Sequence, residues 1–472
     1  MPLRRPTATP AGPVAGKAPG RGDSGASAVA GCTARGDSVY KGSQAAETAH
    51  KNLTGGYAMK YVIWVVRFWY AGWMIPAGIE HFYHIYPQPG AHSSHPLAAE
   101  MLTALLDTHL FDVVKAVELI TGLAVLFGYF TPLALVACMP VAFCVFWWDA
   151  PLSEWSTGSL IAGSRVLGSN VLLCVAYIAS LRSMFVLRTG AGNALSSPAL
   201  RPLVPAARLL FGAWMLANGA NYFFFSLWSM PAGQAPLSME LMTALVHSRL
   251  LDVCMLIELV AGALILLGVF VPAALCTVMA VSTCGLFWAV LDHQPMSLAL
   301  GIAAFALNGF LMLAYLDGFK GVLQRAPLTL GEPDPATSWN TLFVDPSGRT
   351  ARGHFVGALI PLALAVLWYA LKGPAVDYAP WGVLVLVYPA VVLHVRRLHD
   401  MGRTGWLVLV PAVLGVVAMG IWAQRISLGA QLNGAVPLVA LAVVVVFAAW
   451  ACMGRGQTEN NTVGPAVTAG GV

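Results

Sequence analysis

Residues 118–132 read ELITGLAVLFGYFTP, and residues 258–272 read ELVAGALILLGVFVP. In each stretch one carboxylate opens a run that carries no further charge. With the apolar residues that precede it, each run is long enough to cross a bilayer as a helix, which takes about 20 residues. Lipid offers the backbone no hydrogen-bond partners, so only helices and closed barrels persist there. Runs this long and continuous select the helix.

The rest of the chain repeats that signal. Of 472 residues, 58% are apolar and 10% are charged, too few charges for a water-facing surface, since soluble domains carry roughly 25%. A soluble multi-domain enzyme is excluded. Twelve apolar stretches follow Lys60, centred near Trp73, Thr121, Ala142, Leu172, Leu216, Ala261, Val281, Leu307, Ala363, Leu386, Leu414 and Val443. The expected fold is therefore all-α: a polytopic integral membrane protein of about twelve transmembrane helices arranged as three four-helix bundles. Residues 1–58 are rich in Ala, Gly, Pro, Ser and Thr without apolar periodicity, and read as a disordered tail. Met59-Lys60-Tyr61 enters a helix abruptly, so translation is expected to begin at Met59.

Basic residues set the orientation. With the N-terminus in the cytoplasm, most of the 26 Lys and Arg fall in inside segments. The outside loops hold Arg249, Lys372 and Arg425. Both termini are expected in the cytoplasm of a bacterial inner membrane. This arrangement accounts for the net charge of +5 without nucleic acid as a partner; the partner is the lipid bilayer.

The two opening stretches belong to a longer internal similarity. Arg67 and Arg208 occupy matching places, as do Asp112 and Asp252, Glu118 and Glu258, Cys144 and Cys284, and Asn170 and Asn308. Four helices per copy keep both copies the same way up. The pattern of Arg on the first helix, Glu-Leu-x-x-Gly on the second and Asn on the fourth resembles the DoxX-like four-helix membrane proteins. The resemblance covers 59–190 and 200–326. It implies association with membrane redox complexes that exchange electrons with quinones. A third region, 340–465, resembles the domain of unknown function 805. The residues that carry that likeness are Gly348-Arg349-x-x-Arg352, the block Arg396-Arg-Leu-His-Asp-Met-Gly-Arg-Thr-Gly-Trp406, and a Gly456-Gln-Thr-Glu-Asn460 ending. Segments near 189–202 and 326–347 read as cytoplasmic linkers.

A carboxylate inside a membrane is expensive and needs a partner. Depth counted along each helix puts Glu118 and Asn170 at about 16 Å from the inner boundary and Arg67 at about 10 Å, an offset that an arginine side chain spans; the same holds for Arg208, Glu258 and Asn308. Arg67 is expected to pair with Glu118, and Arg208 with Glu258. The cluster reads either as a structural ion pair or, under the DoxX-like resemblance, as a quinone head-group or proton site. The first copy adds Glu80, His81, Lys115 and Arg165, where the second has Asn221, Tyr222, Met255 and an apolar residue. Any functional site is therefore placed in the first copy, and the second copy's cluster reads as structural. His84, His92, His95 and His109 share the first outer loop, but their spacings match no ligand motif, so no metal is expected. The eight cysteines form no Cys-x-x-Cys pair.

In the third region Arg349, Arg352, Arg396, Arg397 and Arg403 converge on the inner face. They read as topology anchors, with Asp400 capping the next helix and Gly402 making the turn, or as a site for an anionic lipid head-group. Two function classes follow. One is a redox-associated membrane subunit that binds quinone and depends on a soluble redox partner or membrane complex, since no cofactor motif is visible in the chain. The other is a non-catalytic envelope scaffold that interacts with anionic lipid. Whether the chain is itself an enzyme stays open at this point.

Overall fold

Each apolar stretch is a helix; left-handed Gly128 and Gly268 end two of them, and proline opens several others. The computed structural model describes residues 34–86 (side chains from Met59 onward), 95–188, 202–332, 334–372, 378–461 and 463–464. Residues 1–33 of the expected tail and most of the 189–202 segment lie outside the described residues. Residues 55–472 form one unit.

The first group of helices is α1 (Ala34–Tyr83), α2 (Pro96–Asp107), α3 (Leu110–Phe127), α4 (Thr131–Asp149), α5 (Thr157–Ala176) and the single turn α6 (Ile178–Leu181). The second is α7 (Leu203–Ala220), prolonged by a π-helical turn at Asn221–Phe225, then α8 (Pro236–His247), α9 (Leu250–Leu267), α10 (Val271–Asp292), α11 (Pro295–Ala314) and α12 (Leu316–Phe319). The two groups follow one plan. α2 and α8 have 12 residues each, α3 and α9 have 18, and α5 and α11 have 20. Left-handed residues fall at matching places, His109 and Arg249, then Gly128 and Gly268, then Phe130 and Phe270. The third group is α13 (Trp339–Phe343), α14 (Arg352–Lys372), α15 (Ala379–Asp400), α16 (Leu409–Trp422) and α17 (Ala430–Met453).

Among the described residues, eleven helices are long and apolar enough to cross a membrane. The protein is an all-α polytopic membrane protein. The twelfth expected span, α3, has 18 residues but carries Asp112, Lys115 and Glu118; its counterpart α9 has Met255 in place of the lysine and qualifies. The outer loop that holds the histidines is not all loop, since Pro96–Asp107 is helical. The helix containing Met59 starts at Ala34, and Ala, Gln, Glu and Lys upstream of Met59 favour helix.

Each group has its own core. Tyr70, Met74, Val125, Leu135, Cys138, Leu173 and Tyr177 pack at the centre of the first. Phe211, Met215, Ile265, Leu275, Leu311 and Tyr315 do so in the second. α2 and α8 join the two groups through Ala98, Met101, Ala104 and Ala244. The third group packs its aromatic core, Trp339, Phe343, Phe355 and Tyr369, onto Trp64 and Phe68 of α1. The segment expected to be a linker is part of that packing. Glu332 is 3% exposed and accepts from Trp64 Nε1 (2.7 Å), Trp339 N (3.0 Å) and Thr329 N (3.0 Å).

Candidate functional site

The Glu-Leu-x-x-Gly pattern is a helix crossing. A Cβ added at Gly78 of α1 would lie 2.6 Å from Leu119 Cβ, and one added at Gly122 would lie 3.0 Å from Ile75 N. Side chains that large cannot be accommodated, so the glycines let α1 and α3 approach closely. The crossing buries Glu118, which is 1% exposed, about 12 Å along the helix from Leu110. α7 and α9 cross in the same way at Gly219 and Gly262.

Glu118 finds its cation on its own helix. Lys115 Nζ lies 2.9 Å from Glu118 Oε2, and the lysine side chain is 14% exposed. One turn nearer the helix start, His81 Nε2 of α1 lies 2.7 Å from Asp112 Oδ1. His109 Nδ1 is 3.2 Å from Asp112 Oδ2. Phe111 stands between the two pairs: its ring centroid is 5.1 Å from that of His81 and 5.0 Å from Lys115 Nζ. Glu80 is buried next to His81, with His84 Nδ1 3.8 Å from Glu80 Oε1. Thus Glu80, His81, Asp112, Lys115 and Glu118 form one polar ladder at the Tyr83 end of α1. Asp112 was absent from the candidate residues; its signal was the one-turn spacing to Lys115 and Glu118 on one helical stripe.

The expected Arg67–Glu118 pair does not form. Arg67 points toward the opposite end of α3, where Nη2 donates to Val125 O (2.7 Å) and the guanidinium stacks 3.9 Å from the Trp339 ring centroid. There it completes a cap. Thr131 Oγ1 donates to Ala124 O, Trp339 Nε1 to Leu126 O and Asn340 Nδ2 to Phe127 O. All four terminal carbonyls of α3, which the helix leaves unpaired, are thereby satisfied, and a cation sits at the negative end of the helix dipole. Depth arithmetic placed Arg67 at the right height on its own helix but could not say that Trp339, far along the chain, would claim it. Arg208 likewise bonds Tyr315 Oη (3.3 Å) instead of Glu258. Asn170 donates to Tyr70 Oη (2.9 Å), and Asn308 lies against Ser282 Oγ of α10 (3.5 Å). Arg165 faces the third group, 5.8 Å from the Trp368 ring centroid. Arg67, Arg165 and Asn170 therefore stand apart from the ladder.

In the second group the positions of His81 and Lys115 carry no cation, and only Arg249 reaches Asp252 (3.3 Å). Tyr222 replaces His81 and donates to Asp252. Asn221 replaces Glu80 and accepts from Leu227 N and Trp228 N. Met255 replaces Lys115, and Glu258 Oε2 has no hydrogen-bond partner. Among the loop histidines, His95 bonds Glu154 (3.0 Å) and His109 bonds Asp112; His92 lies outside the described residues.

The third group's arginines are mostly internal. Arg397 is fully buried and bonds Asp400, Ala451 O and Gly454 O. Arg349 bonds Asp400 Oδ1 (3.2 Å), Glu459 O and Gln457 O. Arg396 bonds Thr350 Oγ1, Asp345 O, Ser347 O and Arg349 O. The donors of these three serve groups of the protein itself, whereas Arg352 and Arg403 are exposed. Asp400 does not cap the next helix. It holds Arg349 and Arg397 together, and Thr404 caps the following turn through Trp406 N. Gly402 takes the left-handed turn as expected (φ +69°).

Fold and contacts define a polytopic helical membrane protein with an ionic ladder that runs from half-exposed Asp112 to buried Glu118. Residues 343–465 match the family described as "Protein of unknown function (DUF805)". The Arg349–Asp400–Arg397 network lies within this match. No curated protein and no solved structure matches the chain.

Proposed function

We propose that the chain is a bacterial inner-membrane subunit, termini in the cytoplasm, whose first DoxX-like repeat offers a quinone head-group site at the ladder of Glu80, His81, Asp112, Lys115 and Glu118. The observation that carries this reading is the Lys115–Glu118 pair on α3, with Glu118 buried at the crossing with α1, because ionisable groups packed between apolar helices are costly and mark sites of proton or ligand handling. The donor set fits the ligand. His81 and Lys115 present N–H groups suited to a carbonyl oxygen, Phe111 presents an aromatic face, and Glu118 and Asp112 are carboxylates able to hold a proton. A quinone, when bound, supplies reversible two-electron chemistry; the electrons come from a soluble partner. Lys115 is the counter-charge of Glu118, while Asp112 orients the His81 ring through Nε2 and leaves Nδ1 for the ligand. The second repeat, with Met255 and Tyr222, lacks this donor set. The scaffold reading loses its main support because Arg349, Arg396 and Arg397 are turned inward.

The test is quinone retention. Protein purified in mild detergent is extracted, and quinone is quantified by mass spectrometry against a detergent blank. Wild type is expected to retain quinone, and the charge-free Lys115→Met/Glu118→Leu variant to lose it. No retention by wild type, or equal retention by the variant, overturns the proposal.

A further inference from the structure

We propose that Glu258 is a proton-binding site of the second helical group, a membrane-embedded carboxyl that carries an exchangeable proton where Glu118 carries an ion pair. Glu258 is 8% exposed and lies mid-way along α9, a transmembrane helix. Its Oε2 is buried without a hydrogen-bond partner. Its polar neighbours are the Asn218 amide of α7, where the first group has Ala77, and the Cys254 thiol of α9.

No cation among the described residues reaches it. Arg208 of α7 sits at the far end, beside Gly268 and Tyr315, about 15 Å along α9 from Glu258. Arg249 and Tyr222 are held by Asp252 at the other end. On α8, His247 is taken by Glu100 of α2, and Glu240 faces Asp107. On α10, Asp292 accepts from Gln234 N, Ser238 Oγ and Ser297 Oγ. An isolated carboxylate removed from water without a counter-charge takes up a proton instead of remaining ionised. The unbonded Oε2 is then the place for that proton. This inference is independent of the quinone reading, which concerns the first group.

A lipid-soluble carbodiimide reports the proton directly. The protonated carboxyl adds across one C=N bond: its oxygen bonds the central carbon, and its proton passes to nitrogen. The acyl group then migrates to nitrogen, giving a stable N-acylurea with no atom lost and no redox change. The full-length protein in detergent is treated with dicyclohexylcarbodiimide at pH 7 and mapped by peptide mass spectrometry. The label is expected on Glu258 and not on Glu118. Met255→Lys is expected to remove the label from Glu258, and Lys115→Met to create it on Glu118; unchanged elution on size exclusion shows that each variant is folded. Absence of label on Glu258 in wild type, equal label on both glutamates, or full labelling of Glu258 beside a folded Met255→Lys overturns the proposal.

Discussion

Lys115 and Glu118 form an ion pair one helical turn apart inside α3, 2.9 Å between Nζ and Oε2. Breaking a buried pair from one side strands a charge in low dielectric, at a cost of about 3–5 kcal/mol. Glu118→Gln is therefore expected to lower the temperature at which the detergent-solubilised protein leaves its size-exclusion peak. Lys115→Met combined with Glu118→Leu should restore most of the loss. A double variant as damaged as the two single losses added together would show that the residues are not coupled.

Trp339 ties the third helical group to the end of α3. Its indole bonds Leu126 O, covers Arg67 and packs on Trp64, Phe68 and Phe343. Trp339→Ala is expected to cost about 3–5 kcal/mol, the range for a fully buried tryptophan. Asn340→Ala, which forfeits one bond to Phe127 O, should cost about 1 kcal/mol. Heated size-exclusion profiles of the two variants should rank in that order.

Asp400 is the shared anion of two buried guanidiniums, Arg349 and Arg397. Asp400→Asn leaves both without a counter-charge, and a loss of about 3–5 kcal/mol is expected. Limited proteolysis should then cut the 454–461 segment, which Asp400 and Arg349 hold through Gln457 and Glu459. A protease-resistant variant of wild-type stability would contradict this role.

Asp345 precedes the third group, outside the membrane spans. Desolvation opposes its ionisation, but the Ser347 hydroxyl and amide and the Arg396 guanidinium outweigh that and hold the carboxyl below the usual carboxylate range. Its folded-state value is depressed, so its contribution is present above the unfolded value of about 4 and is lost as pH falls through the folded one. The stability difference between wild type and Asp345→Asn should be full at pH 7 and disappear in strong acid. A difference that grows on acidification would reverse the sign.

Helices are legible because lipid forces every long apolar run into one conformation, whereas the sequence reading pairs Glu118 with Arg67 and passes over Lys115, one turn away on the same helix. The fate of Arg67 is not legible either. Depth along a helix gives height, while the partner is chosen by what packs there, and Trp339 and Asn340 arrive from a segment whose Pro and Asp content reads as linker. Glu332 gave no signal for the same reason: a carboxylate between Gly331 and Pro333 looks solvated until Trp64 and the Trp339 amide close on it. The arginines of the third region announced a charged surface, yet their donors serve carbonyls that sequence cannot reveal.

The most direct test of the proposed function is photolabelling with an azido-quinone in detergent, with adducts mapped by mass spectrometry. The account predicts adducts in Glu80–Tyr83 of α1 and Leu110–Glu118 of α3, displaced by excess unlabelled quinone and absent from Lys115→Met/Glu118→Leu. Adducts that excess quinone does not displace, or that fall equally on α7 and α9, would contradict it.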